Sequence, residues 1–148
     1  MNSLKSRLQA DMKSALKAGE ALRLSTVRMA LAEIGRYEAD KGAEPDDATT
    51  MSLIEKMLKQ RRDSEGQYRA GNRPELADKE AAEIKILLAY LPQQLSEAEI
   101  IALIGQGIQE TGAAGGKDMG KLMGWLKPKV AGKTDMGKFS GLVKSKLG

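Results

Sequence analysis

Apolar side chains recur at intervals of three and four along most of this sequence, and no other feature restricts its fold so tightly. Leu4, Leu8, Met12 and Leu16 fall on every fourth residue, and Leu24, Val27, Leu31 and Ile34 follow in steps of three and four. A helix gathers such positions on one face, whereas a strand would send steps of three to opposite faces of a sheet. The spacing predicts helices over about 3–18 and 21–40, with Gly19 at the end of the first and Gly42 to Pro45 breaking the second. Asp46 and Asp47 suit the start of a third and longest helix. It uses Met51, Ile54 and Leu58 and runs on through a polar stretch to about Gly71. Gly71-Asn72-Arg73-Pro74 is a turn, with Pro74 opening a fourth helix whose stripe is Ala77, Ala81, Ile84, Leu88 and Leu91. Aromatic residues are only 3% of the chain, so Leu, Ile, Met and Ala must fill the core, which suits helix packing better than strand pairing.

Leu91-Pro92-Gln93-Gln94-Leu95 interrupts this pattern, because proline disfavours helical backbone before it and donates no amide hydrogen. The expected architecture is therefore all-α: an N-terminal domain, 1–92, of about four helices, and a small C-terminal three-helix domain, 93–148. Ser96-Glu97-Ala98-Glu99 reads as a capping box for a helix using Ile100, Ile104 and Ile108 and ending at Gly112. A repeat follows. Asp118-Met119-Gly120-Lys121-Leu122-Met123-Gly124 and Asp135-Met136-Gly137-Lys138-Phe139-Ser140-Gly141 share five of seven residues. Each copy predicts a short helix, over about 118–130 and 135–147, with Asp as N-cap and a Gly-x-x-x-Gly strip open to close backbone approach. Pro128 is expected to distort or end the first of them.

The sequence has no cysteine and no histidine. That excludes Cys/His zinc sites, cysteine nucleophiles and imidazole acid–base chemistry. No stretch has the length and apolarity of a membrane span, and the N-terminus, with charges of both signs, lacks the apolar run of a signal peptide. A cytoplasmic location with no membrane partner is expected.

Few constellations suggest chemistry. Gly112-Ala113-Ala114-Gly115-Gly116-Lys117-Asp118 resembles a phosphate-binding loop, but its spacing is short, Asp118 stands where Ser or Thr would meet magnesium, and no strand precedes it. Asp46/Asp47 fit a helix start, and Glu80/Glu83 lie off the apolar stripe as solvated charges. Lys56, Lys59, Arg61, Arg62 and Arg69 are interleaved with Glu55, Asp63 and Glu65, the pattern of weak pairs on a solvated face. No catalytic residue, metal ligand or cofactor is assigned.

The C-terminal end differs. Of the net charge of +4, residues 1–95 carry +1 while Gly112–Gly148 carries +6. Lys117, Lys121, Lys127, Lys129, Lys133, Lys138, Lys144 and Lys146 face only Asp118 and Asp135, which capping already occupies. Two helix starts with a lysine one turn in would favour phosphate oxygens, so these eight lysines are the candidate RNA-binding residues. Lysines also keep small domains soluble, and Trp125 and Phe139 fit a core better than a base-stacking platform.

KMLKQRRDSEGQYRAG (56–71), LADKEAAEI (76–84), YLPQQLSEAEI (90–100) and KDMGKLMGWLKPKVAGKTDMGKFSGLVKSKL (117–147) together resemble the YqeY family. That family is similar to the tail region of the B subunit of glutamyl/aspartyl-tRNA amidotransferase, the GatB/YqeY group. The resemblance implies a larger helical domain followed by a three-helix domain, and contact with tRNA or other RNA. Two alternatives accompany it. The chain could act as a scaffold docking on an amidotransferase or synthetase partner, or as an accessory to carbon–nitrogen ligation with glutamine as amido-N-donor. The domains that perform amidotransferase catalysis have no counterpart in these strings, so autonomous catalysis is not expected.

Overall fold

The structure is a computed structural model, described here for residues 3–147, and among these every regular element is helical. The chain divides into two compact units, Met1–Leu91 and Pro92–Gly148.

The first unit comprises α1 (Leu4–Ala18), α2 (Ala21–Lys41), α3 (Asp47–Ala70) and α4 (Pro74–Leu88). Their ends follow local chemistry. The Ser6 amide donates to Ser3 Oγ at the start of α1, and Gly19, in left-handed backbone at φ 70°, closes it. At the start of α3, Asp46 accepts from the Thr49 amide at 2.8 Å, whereas Asp47 turns away and accepts from the Leu4 amide at 2.9 Å. One pair of carboxylates thus fixes the starts of two helices.

The core of this unit is Leu8, Val27, Ala30, Ile34, Ile54, Met57, Leu58, Leu87 and Tyr90. Helix α4 stops at Leu88, short of the expected stripe through Leu91, because the chain turns ahead of Pro92; Leu91 still packs on the core from beyond the helix. Tyr90 is buried at the same turn. Its hydroxyl donates to Asp11, and burial first, with that bond second, pushes its pKa up. The Arg7 guanidinium lies 4.7 Å from the Tyr90 ring centroid and donates to the Ala89 carbonyl at 2.7 Å, anchoring α1 to the end of α4.

The second unit holds α5 (Glu97–Thr111), a 3₁₀ turn (Gly116–Asp118), α6 (Met119–Val130) and α7 (Met136–Leu147). The capping box forms as expected: the Ser96 amide donates to Glu99 Oε1 and the Glu99 amide to Ser96 Oγ, both at 3.1 Å. Hydrogen bonding from Ser96, its amide first and its side chain second, also holds the Glu99 carboxyl below its ordinary pKa. The core is Ile100, Ile104, Ala113, Leu122, Leu126, Val130, Phe139, Val143 and Leu147, so α6 and α7 both turn their apolar faces towards α5.

One expectation is met here and one is corrected. α6 ends at Val130, where the sequence places its end, with Pro128 inside the last turn. Pro128 and Gly124 are both exposed and the helix is nearly finished, so the one carbonyl deprived of an amide partner is left beside water. Asp118 does not cap α6. A 3₁₀ turn feeds directly into that helix, and the Asp118 carboxylate reaches back to accept from the Ala114 amide at 2.8 Å, closing the glycine-rich loop on itself. Asp135 does cap α7, accepting from the Gly137 amide at 3.0 Å.

Close helix approach occurs at Gly107 rather than in the repeat. A Cβ there would stand 2.8 Å from Leu122 Cδ1 and 2.9 Å from Trp125 Cε3. Leu122 is fully buried and the indole is rigid, so neither can withdraw freely. Gly107→Ala should therefore destabilise the second unit by about 1–3 kcal/mol, the range for overpacking. A urea midpoint followed by Trp125 fluorescence measures it; a midpoint equal to that of the unaltered protein would show that α6 yields.

Candidate functional site

The repeat extends further in structure than its seven-residue core. With an offset of seventeen residues, Met119, Leu122, Leu126 and Val130 of α6 match Met136, Phe139, Val143 and Leu147 of α7, and each of these side chains belongs to or packs on the core of the second unit. The same offset pairs Lys121 with Lys138, Lys127 with Lys144 and Lys129 with Lys146, and all six are exposed. Both helices therefore bury one face against α5 and turn equivalent lysines outwards.

Lys117, on the 3₁₀ turn, is exposed as well, while Lys133, in the loop between α6 and α7, is half-buried. Lys133 lies where the loop is fastened down, its carbonyl accepting from the Leu95 amide at 2.8 Å. Every ion pair among the described residues lies in the first unit. The eight lysines thus form no ion pair with a described carboxylate. Lys127, Lys129, Lys144 and Lys146 occupy the last turns of their helices, where a cation is favoured by the negative end of the helix dipole, a structural use that leaves these side chains exposed. The Lys129 ammonium lies 3.9 Å from the centroid of the half-buried Trp125 ring, so that ring packs against Gly107 and carries a cation rather than presenting an open platform.

The helix starts are less open than the sequence suggests. The Asp118 and Met119 amides donate to the Gly115 and Gly116 carbonyls, and Asp135 occupies the Gly137 amide. Anion binding at this surface must come from side chains. Gly120, Gly124, Gly137 and Gly141 are exposed, and a Cβ on Gly120, Gly124 or Gly141 would meet nothing within 4 Å. Among the described residues no helix of the second unit packs on these bare strips, although a mid-helix glycine costs about 1 kcal/mol relative to alanine.

The first unit holds a second constellation. Contrary to expectation, Glu83 is buried, at 5% exposure, and Arg61 does not lie on a solvated face. Arg61 Nε stands 3.3 Å from Glu83 Oε2, joining α3 to α4. Its Nη1 donates to the Met57 carbonyl at 3.3 Å and Nη2 to Met29 Sδ of α2 at 3.2 Å, both long or weak acceptors. Nε is not aimed at the carboxylate and has no hydrogen-bond partner. The carboxyl of Glu80, one helical turn before Glu83, is raised above its ordinary pKa, first by burial and then by the Glu83 charge. Arg69 behaves as expected of a surface pair, donating to Glu65 at 2.9 Å. No helix is long and apolar enough to cross a membrane, and no cluster of three or more metal-ligating side chains occurs among the described residues.

Fold and surface together define a two-unit, all-helical protein whose second unit presents two equivalent lysine-bearing helices. The chain belongs to the YqeY (Yqey-like protein) family, whose profile matches residues 5–147. It is similar to "Altered inheritance of mitochondria protein 41, mitochondrial" of Pyrenophora tritici-repentis, at 33% identity over 131 residues, 84% of this chain and 71% of that protein. The protein of the same name from Lachancea thermotolerans is 36% identical over 106 residues, 70% of this chain and 57% of the relative. The match to that of Saccharomyces cerevisiae is 30% over 96 residues, 64% of this chain and 52% of the relative. The chain thus spans only part of these relatives' length. Their names place them in mitochondria, so an expectation of the cytoplasm does not carry across the family.

Proposed function

We propose that this protein is an RNA-associating module, directed at tRNA, that binds through α6, α7 and the 3₁₀ turn before them and has no catalysis of its own. The observation that supports this reading is the set of eight lysines without ion pairs among described residues, six of them at equivalent places on two repeated helices, in a segment, Gly112–Gly148, that carries a net charge of +6. Ammonium groups left in water exchange condensed counterions for phosphates, the main source of sequence-independent affinity for nucleic acid. The exposed Gly120/Gly124 and Gly137/Gly141 strips would let a sugar–phosphate backbone lie close to the helix between those lysines. Resemblance to the tail of the tRNA-dependent amidotransferase supplies the choice of tRNA. The reading requires a compartment that holds tRNA, which the cytoplasm and the mitochondrial interior both are.

Titrating tRNA against salt tests it. A site neutralising about four phosphates should lose affinity with a log–log slope of about −3. Lys121→Glu with Lys138→Glu should weaken binding more than tenfold while leaving the helical circular dichroism unchanged, because both side chains are exposed. Absence of binding at low salt would remove the proposal. A protein partner retained after nuclease treatment, with no binding of purified RNA, would favour docking on an amidotransferase or synthetase instead.

A further inference from the structure

A polar cavity of about 310 Å³ opens in the first unit between α2, α3 and α4, lined by Ser25 and Met29, by Gln60, Arg61 and Ser64, and by Lys79, Glu80 and Glu83. Its volume is at the lower end of the range for small-molecule sites and suits a ligand of amino-acid size. The lysine surface of the other unit plays no part in it.

Both signs of charge meet here, and the buried cation is not well satisfied. Glu83 is more than nine-tenths buried, yet the nearest guanidinium nitrogen of Arg61, 3.3 Å away, is not aimed at it and forms no hydrogen bond. The remaining Arg61 contacts are a carbonyl at 3.3 Å and a thioether sulfur at 3.2 Å, poor company for a buried cation. Native interiors rarely leave ionised groups so loosely held. Glu80 stands beside Glu83 on the same helix, its carboxyl held towards the protonated form by burial and by its neighbour's charge. Lys79 is exposed and contributes to the lining. The lining therefore sets one buried cation with an unpartnered N–H, Arg61, and the exposed Lys79 against the adjoining carboxyl groups of Glu80 and Glu83, with Ser25, Ser64 and the Gln60 amide as neutral partners.

A simple anion would satisfy Arg61 and Lys79 but face Glu80 and Glu83. A simple cation would do the reverse. We propose that this cavity binds a small zwitterion of the amino-acid class, its carboxylate taken by Arg61 and Lys79 and its ammonium shared between Glu80 and Glu83. One ammonium carries three donors, enough to serve both carboxylates at once. The proposal goes beyond RNA association and stands or fails independently of it.

The test is an amide NMR titration of the full chain with L-alanine, sodium acetate and ethylammonium chloride, at matched ionic strength. L-alanine should shift the amides of Ser25, Gln60, Ser64, Lys79 and Glu80, with acetate and ethylammonium at least tenfold weaker. Lys79→Gln and Glu80→Gln, both outside the buried core, should leave the rest of the spectrum in place and each weaken L-alanine binding about tenfold, the loss of one charge-assisted hydrogen bond. No response to L-alanine, a response matched by acetate or ethylammonium alone, or binding unaffected by both substitutions would each overturn the proposal.

Discussion

Arg61→Ala should cost the first unit about 3–5 kcal/mol, because it leaves the buried Glu83 carboxylate without the one ion-pair partner it has among the described residues. The guanidinium also bridges α2, α3 and α4 through Met29, Met57 and Glu83, so truncation removes packing as well as charge. Lysine cannot replace it, since a single ammonium does not reach three directions as a planar fork does. Lowering the pH should return part of the loss, because a proton neutralises the stranded carboxylate. Arg61→Met combined with Glu83→Leu should lie within about 1 kcal/mol of the unaltered protein, since a buried pair often breaks even against apolar residues of similar size. Urea unfolding followed by amide hydrogen exchange across α3 and α4 measures all three. A loss below about 1 kcal/mol for the single substitution would mean that water screens the pair as it does on a surface. If the double variant is as stable as the parent, stability does not account for keeping two charges there, and use of the cavity they line becomes the better explanation.

The sequence makes the helices legible because their signals are local. Gly19, Pro74, the Ser96/Glu99 box and Gly112 each act within one turn, and each helix boundary lies where they place it. What the sequence hides depends on the neighbours of each helix. A stripe through Ala77, Ile84 and Leu88 describes α4 packed against one partner. In the fold α4 meets both α3 and α2, so it buries a wider face that includes Leu87 and Glu83 while Leu88 is only half-buried. A glutamate within that face reads as solvated until its partner Arg61, on another helix, is in place. Asp118 and Asp135 show the same limit: identical four-residue strings end in different roles, because a 3₁₀ turn precedes one and a simple loop the other.

The lysine surface was legible as charge, whereas its arrangement was not. Only in the fold do Lys121, Lys127 and Lys129 become the counterparts of Lys138, Lys144 and Lys146, outward on two helices that share α5 as their packing partner. The carboxylates of this unit outside the repeat, Glu97, Glu99 and Glu110, all lie on α5. Charge in the second unit is thus sorted by helix, which a count of its residues does not reveal.

Phe139→Ala tests how that surface depends on the core beneath it. Phe139 is the only phenylalanine in the chain, is fully buried, and stands where the repeat places Leu122 on the other helix. Removing its ring should cost about 3–5 kcal/mol. A single core in a unit this small rarely supplies more than about 3–5 kcal/mol in total, so the substitution should leave the second unit largely unfolded at room temperature. The readout is specific. Trp125 is the only tryptophan and lies in this unit, while Tyr37, Tyr68 and Tyr90 all lie in the first, so a red shift of tryptophan emission reports the second unit alone. RNA affinity should fall with it even though all eight lysines remain, because phosphate contacts need the ammonium groups held on ordered helices. Lys138→Glu, one residue away and exposed, should weaken RNA binding without moving the emission. If Phe139→Ala unfolds the unit and RNA binds as before, flexible charge alone accounts for the affinity and the repeated scaffold has no part in it.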